Sequence, residues 1–249
     1  MIMKTVSRIL LIFTLSIFCL EHLSAQNDSL NKQIWRSIGG QGKWDSLQYL
    51  AFSAKGNMVS EELSNEERKF LFNRTTGECR FDGYSGSDQV TYLFNFKGGG
   101  NTDKLFIGGK VTADGEEVKK AIKSQLFADL NLLLLPTLIE QKSIQLKNQE
   151  EQFIGGQKLT IASITSSGPI FGTRLDGLVY IDQNTGEITR YDYSDKTEKI
   201  SYEISKYKEI GDGIRLPSLF NSTNNDKRTC VFSSISSFVQ VEQKKFKEL

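Results

Sequence analysis

The side chains of this chain that could do chemistry are few, and their spacing points away from catalysis. The only histidine is His22. It lies in a leading segment that reads as an export signal, so the chain left after cleavage has none. Serine–histidine and cysteine–histidine pairs need an imidazole as base, and His-ligated zinc needs it as ligand, so all three are excluded. Acid–base chemistry on carboxylates, lysine or tyrosine stays open, which leaves a carboxylate-based secreted hydrolase as the catalytic alternative. The adjacent acids Glu116-Glu117 and Glu150-Glu151 sit in charged stretches that read as solvated, and nothing pairs them across a cleft as a glycosidase requires. Asp182, Asn184 and Glu187 place oxygens at loop spacing. Calcium takes about six to eight oxygens in a defined loop, and an ordinary Asx-type turn suits these residues better. Gly98-Gly99-Gly100 leads to Asn101 and not to the Gly-Lys-Ser/Thr of a phosphate loop. No metal and no cofactor are expected, and the protein is read as a non-enzyme.

Cysteine chemistry is the remaining possibility. Cys19 falls in the leading segment, which leaves Cys79 and Cys230. In an oxidising compartment these two could pair, closing a loop of about 150 residues, worth up to ~5 kcal/mol in the chain-entropy model. The alternative is two separate buried thiols acting as small apolar residues.

The strongest functional candidate is apolar. Phe127, Leu130, Leu132, Leu133, Leu134, Leu135, Leu138 and Ile139 crowd one segment, broken by Pro136. Acyl chains need a dry, aliphatic and deformable lining, and each buried methylene contributes about 0.8 kcal/mol. The same residues could instead fill the inside of a curved sheet as plain core. Aromatic residues on alternating positions (Phe52, Phe70, Phe72, Tyr92, Phe94, Phe96, Tyr180, Tyr191 and Tyr202) could line the same cavity or simply form sheet core. Trp35 and Trp44 flank the first helix, where they would anchor it to the sheet or touch a ligand.

Strands must position these residues. Val90, Tyr92, Phe94 and Phe96 alternate with Thr91, Leu93 and Asn95, and Ile200, Tyr202 and Ile204 alternate with Lys199, Ser201, Glu203 and Ser205. Val231, Ser233, Ile235, Ser237, Val239 and Val241 define one face of a long strand. Period two with one greasy side means antiparallel sheet packed along a single face. Further strands are expected at Leu47–Lys55, Lys69–Asn73, Cys79–Tyr84, Lys104–Ile107, Gln157–Ile164, Arg174–Asp182 and Glu187–Ser194. Ile-Gly-Gly recurs at Ile38, Ile107 and Ile154, separated by 69 and 47 residues, which reads as three turns and not a repeat. One helix is expected from about Ser29 to Ile38, capped by Asp28 or Ser29 and stopped by Gly39-Gly40. A second starts near Asp114, carries Val118, Ile122, Leu126, Leu130 and Leu133 on one stripe, and ends at Pro136. Four consecutive leucines, Leu132 to Leu135, require cover on most of the helix circumference.

The first 25 residues set the compartment. Lys4 and Arg8 precede an apolar run from Ile9 to Leu20, and Ser24-Ala25 supply small residues before Gln26, the layout of a signal peptide cleaved near Ala25. The run is shorter than the roughly 20 residues that span a bilayer, so no stable membrane insertion is expected. The residue before Cys19 is Phe18, where lipidation signals place a small residue. Removing 25 of 249 residues leaves 224, enough for one large domain, 26–249. Lys4, Arg8 and Glu21 leave too, so 31 basic and 30 acidic residues become 29 and 29. A net charge near zero gives no footprint for nucleic acid. A periplasmic monomer is expected, with release outside the cell the alternative.

The order of elements and several local phrases resemble the lipoprotein-carrier half-barrel superfamily of the LolA carrier and LolB receptor, and most closely a branch common in Bacteroidota. The phrases are Ile38-Gly39-Gly40 through Lys43-Trp44-Asp45-Ser46-Leu47, the helix running into leucines and Pro136, Leu178-Val179-Tyr180-Ile181-Asp182, Thr185-Gly186-Glu187-Ile188 and Gly213-Ile214-Arg215-Leu216-Pro217. The resemblance implies a mainly antiparallel, unclosed (half) β-barrel with helices packed on its concave face. It also implies an apolar cavity that holds a hydrophobic ligand or an acylated protein. No residue here is carried over for the arginine that latches the carrier's lid, and the receptor's membrane-engaging loop and lipid anchor have no clear equivalent. An envelope protein of the same fold with a filled interior is the rival expectation.

Overall fold

A computed structural model describes residues 30–98, 103–139, 141–194 and 199–249. The expected export signal, 1–25, and the expected cap of the first helix lie outside the described residues. The described part of helix α1 covers 30–37. It is followed by α2 (Gln41–Ser46) and six strands: β1 (Tyr49–Gly56), β2 (Arg68–Asn73), β3 (Glu78–Ser85), β4 (Asp88–Asn95), β5 (Lys104–Ile107) and β6 (Lys110–Thr112). Helices α3 (Glu116–Leu133) and α4 (Leu135–Leu138) come next. Seven strands close the chain: β7 (Ile144–Ile154), β8 (Gln157–Ser166), β9 (Gly177–Asp182), β10 (Ile188–Ser194), β11 (Lys199–Gly211), β12 (Ile214–Ser222) and β13 (Cys230–Phe238).

All thirteen strands form one antiparallel sheet in the order β6-β5-β4-β3-β2-β1-β13-β12-β11-β10-β9-β8-β7. Each half is a meander of strands that neighbour one another in sequence, and the β1–β13 pair welds the two halves together. The edges, β6 and β7, are consecutive along the chain but lie at opposite ends of the sheet, so the barrel is unclosed. The connection between them must therefore cross the whole sheet, and that connection is α3–α4. An 18-residue helix spans about 27 Å at 1.5 Å per residue, which suits such a crossing. The expected architecture, an open antiparallel sheet with helices on its inner face, is the one observed.

Register builds the inner face. Ile235, Phe52, Phe70, Phe81, Tyr92 and Leu105 pair in succession across β13, β1, β2, β3, β4 and β5. Ring centroids lie 5.2 Å apart for Phe52–Phe70 and 5.1 Å for Phe70–Phe81. The α1 helix packs Leu30, Ile34, Trp35 and Ile38 into the same core. It ends at Gly39, whose φ of 100° suits glycine and whose added Cβ would lie 2.3 Å from the Gly213 carbonyl oxygen. Gly39-Gly40 thus stop the helix as expected.

Several expectations need correction. The last strand ends at Phe238, and its buried residues are Cys230, Phe232 and Ile235, with Val231 42% and Val239 84% exposed. The cause is a bulge: Ser53 pairs with Ser234 but Ala54 with Phe232, so the extra residue flips the alternation. Arg174 to Asp176 precede the strand expected there, which starts at Gly177. Strands β6, β7 and β12 went unread because β7 is charged along much of its length and β12 contains Pro217. Pro136 does not end the helical segment. It sits in the first turn of α4, where the missing N–H has no partner to lose. Strand β4 is buried on both faces, Leu93 and Thr91 included. The C-terminal segment lies across the outer side of this half of the sheet. Phe246 stacks on Tyr49 at 6.1 Å, and Arg80 donates to the Glu248 carbonyl at 3.0 Å.

Candidate functional site

Helix α3 carries the site. Gly115 caps its start, and Glu116 and Glu117 occupy the first turn, where acidic charge complements the helix dipole. Its core stripe is sealed, with Ile122, Leu126, Leu130 and Leu133 at 0% exposure. Leu132, Leu134 and Leu135 are also buried, so the run of leucines is covered all round as its composition requires. At the break between helices, the Leu134 N–H donates to the Leu130 carbonyl at 2.9 Å and the Thr137 hydroxyl to the Leu134 carbonyl at 2.9 Å.

A charged pair sits under this helix. Arg68 on β2 donates to both Asp129 oxygens, Nε to Oδ2 at 2.7 Å and Nη2 to Oδ1 at 2.5 Å, with the side chains 2% and 0% exposed. Burial pushes the Asp129 carboxyl up from its ordinary range, and the Arg68 charge opposes that shift. Gln125, one turn earlier, donates to Asp129 and to the Asn57 carbonyl, both at 3.0 Å, and accepts from the Val59 N–H at 3.1 Å. The helix therefore holds the 57–59 loop through a buried polar seam. Sequence reading missed this seam. Its signal was an acid, Asp129, beside Leu130 on the apolar stripe.

Among the described residues, cavities lie on both flanks of α3. The first, of about 230 Å³, lies between α3–α4 and β2, with Trp44, Phe72, Phe96, Leu130, Leu134 and Leu138 as its apolar wall and Arg74, Lys97 and Gln141 also lining it. Arg74 stacks on Trp44 at 3.9 Å and donates to the Trp44 and Leu47 carbonyls at 2.6 and 2.7 Å. The second, of about 100 Å³, lies on the other flank, between Ala128, Asn131 and Leu132 of α3 and Tyr191, Tyr193, Ile200 and Tyr202 of β10 and β11. Asn57, Val59, Thr173, Leu175 and Arg228 complete it. Burial pushes the Tyr191 phenol well above its ordinary range.

One tight turn touches both cavities. Ile170 and Thr173 exchange backbone hydrogen bonds of 2.7 and 3.0 Å around Phe171 and Gly172, whose φ values are 45° and 74°. A phenylalanine at positive φ is strained. Its ring stacks on Phe127 at 6.1 Å and lines the first cavity, while Thr173 lines the second.

The structure thus divides the residues singled out from sequence. Trp44, Phe72, Phe96, Leu130, Leu134 and Leu138 line the first cavity, and Leu132, Tyr191 and Tyr202 the second. Phe52, Phe70, Tyr92, Phe94, Trp35, Leu133 and Leu135 belong to the packed core and line neither. Ile139 lines a separate groove beside Asn31 and Lys142, and Phe127 serves as the platform for Phe171. Tyr180 is a correction. It lies with Leu159 and Ile161 in a small cluster apart from the main core, because its neighbours Val179 and Ile181 take the inward positions of β9. Its hydroxyl donates to Asp192 at 2.8 Å. The Cys79–Cys230 bond is a second correction. Both thiols are free and buried, and β2 and β1 lie between their strands. Three strand spacings of about 4.8 Å exceed the roughly 7 Å that a disulfide tolerates. Asn57, Asn131, Phe171, Tyr193 and Ile200 are lining residues that sequence reading missed.

The Asp182 loop is a turn: its Oδ1 accepts from the Asn184 and Thr185 N–H groups at 2.7 and 3.0 Å. Glu116 pairs with Lys119 on α3, and Glu151 with Lys158 across the β7–β8 hairpin. Among the described residues no group of acids, cysteines or histidines is placed to hold a metal ion, and no helix is long and apolar enough to cross a membrane.

No protein-family model matches the sequence, and no curated protein matches it either. Among solved structures, a Vibrio parahaemolyticus domain assigned as an outer membrane lipoprotein-sorting protein is similar at a TM-score of 0.43 and 11% identity, covering 88% of this chain and 94% of that one. A DUF1329 family protein from Desulfovibrio piger is similar at 0.41 and 14%, covering 88% and 96%. A LolA superfamily protein from Nitrosomonas europaea is similar at 0.41 and 7%, covering 86% and 96%. Likeness at this level leaves the functional reading to the cavities themselves.

Proposed function

We propose that this chain is an exported, non-enzymatic binding protein that holds a lipid, an acyl chain or an acylated protein in an apolar cavity of its half-barrel. In this reading residues 1–25 direct export and are removed near Ala25, and residues 26–249 work as one monomeric domain in the periplasm. The observation that supports it is the first cavity, whose wall is built jointly by the leucines of α3–α4 and the aromatics of the sheet. An aliphatic ligand there gains from dry contact alone, about 0.8 kcal/mol per methylene, which is roughly a fourfold gain in affinity for each carbon added. Displacement of a fluorescent fatty acid by saturated fatty acids of increasing length tests this, together with mass spectrometry of organic extracts of protein purified from its native host. Saturable uptake that tightens with chain length supports the proposal. No co-purifying lipid and no saturable uptake at any length overturn it.

A second reading, an envelope structural or interaction protein with a filled interior, is favoured by the dimensions. Leu132 to Leu135 are no more than 5% exposed, and cavities of about 100 and 230 Å³ fall below the roughly 300 Å³ at which small-molecule pockets begin. Chain-length-independent, non-saturable binding is the result this reading expects.

A further inference from the structure

Arg74, at the first cavity, lacks what the other arginines of the sheet have. In Arg68, Arg80 and Arg190 the edge formed by Nε and Nη2 grips both oxygens of an aspartate, at 2.5 to 3.0 Å. Arg174 and Arg215 each hold a carboxylate as well. In Arg74, Nη1 is spent on the Trp44 and Leu47 carbonyls, while Nε and Nη2 donate to nothing among the described residues. Neither nitrogen is sealed from solvent, since neither belongs with the enclosed polar atoms that lack a partner. Burial lowers the pKa of the guanidinium, and Asp45, beyond ion-pair distance, offsets this only in part. Arginine stays charged regardless. Arg74 is therefore a half-buried cation whose carboxylate-matching edge is unused.

Its surroundings restrict what could fill that edge. Lys97 lines the same cavity, and its ammonium donates to the Arg74 and Thr75 carbonyls at 2.7 and 3.0 Å, which leaves one of three N–H groups. No acid lines the cavity, so its charged lining is wholly positive. The uncharged polar residues there are Gln141 and Thr137, whose hydroxyl is committed to the Leu134 carbonyl. Phe72, Phe96, Leu130, Leu134 and Leu138 present hydrocarbon. A small free anion gains nothing from that wall, and a neutral lipid leaves the arginine edge unpaired. We propose that the first cavity binds an amphiphile with an oxyanion head, a carboxylate or a phosphate monoester, held on the Nε–Nη2 edge of Arg74 with its chain against the leucines of α3–α4. The proposal rests on the lipid-binding reading above and specifies the charge of the head.

The test is isothermal titration calorimetry with decanoate, decyl phosphate, decanol and decyltrimethylammonium, which share a chain and differ in the head, and with acetate and inorganic phosphate, which lack the chain. Wild type is expected to bind decanoate or decyl phosphate about tenfold more tightly than decanol, as a hydrogen bond to a charged group provides, and the tighter of the two identifies the head. The cationic amphiphile and the two chainless anions are expected to bind far more weakly. Arg74→Gln is expected to bring the anions down to the level of decanol. That variant also loses the bonds to the Trp44 and Leu47 carbonyls, so a crystal structure of the wild-type protein grown with decanoate gives a readout free of any folding defect, with the carboxylate expected in hydrogen-bond reach of Arg74 Nε and Nη2. Equal binding of decanoate, decyl phosphate and decanol, or a carboxylate seated away from Arg74, overturns the head-group assignment and leaves lipid binding intact. Acetate or inorganic phosphate binding as tightly as the amphiphiles also overturns it, because the site would then read the anion alone. Failure of all four amphiphiles to bind removes the lipid-binding reading, and this inference with it.

Discussion

Arg68 and Asp129 place two full charges between sheet and helix, out of water. Their bidentate geometry and the bonds from Gln125 leave no oxygen of Asp129 unserved. Such a pair is not needed for stability, because two apolar residues of similar volume often do as well. Removing one partner is a different matter, since it strands the other charge. Arg68→Met is therefore expected to lose about 3–5 kcal/mol, while Arg68→Met with Asp129→Leu regains most of it. Urea denaturation midpoints measure both, and a double variant no more stable than the single one would mean that the cost lies in packing. Sequence reading singled out neither partner, although Asp129 lies on the apolar stripe of α3. Arg68 opens a strand beside Lys69, where a cation reads as solvent-facing until the crossing helix covers it.

Within α3, burial rises along the chain. Val118 near its start is half-buried, whereas Leu133 at its end is fully enclosed. Leu133→Ala should cost about 2–5 kcal/mol, as deletions in a well-packed interior do. Val118→Ala should cost about 1 kcal/mol or less, because a partly solvated site relaxes into the space. Thermal or urea denaturation of the two variants checks the gradient, and equal losses would show that the helix is buried evenly. Most elements were legible from alternation and turn residues, since strands β1 to β5 and β8 to β11 carry period-two patterns or sharp turn signals. Strand β7 hid because Glu150, Glu151 and Lys147 supply charge where a sheet pattern has grease. In β13 the pattern itself misled: one extra residue at the bulge reverses which side chains face in.

For the molecule as a whole, the decisive fact is that β6 and β7 end the sheet on opposite sides. An unclosed sheet keeps two edges, and exposed edges invite pairing with other chains. Strand β6 is only three residues long, and β7 carries exposed Lys147, Glu150 and Glu151, so shortness protects one edge and charge the other. Replacing Glu150 and Glu151 with valine should therefore produce concentration-dependent self-association in analytical ultracentrifugation, with the wild-type protein monomeric over the same range. A variant that stays monomeric would show that the edge is guarded by its twist or its loops instead.

By itself the sequence determined the antiparallel class, the helical stops at Gly39-Gly40 and the full cover over Leu132 to Leu135, because each follows from local periodicity and backbone stereochemistry. It also removed histidine chemistry from the chain that follows the expected signal. Only the tertiary structure decided which face each aromatic serves, why Cys79 and Cys230 stay apart, and that small cavities open beside α3 among the described residues. Those outcomes depend on strand order and on the volumes that meet across the sheet. Contacts between residues more than a hundred positions apart leave no trace in a period of two or 3.6.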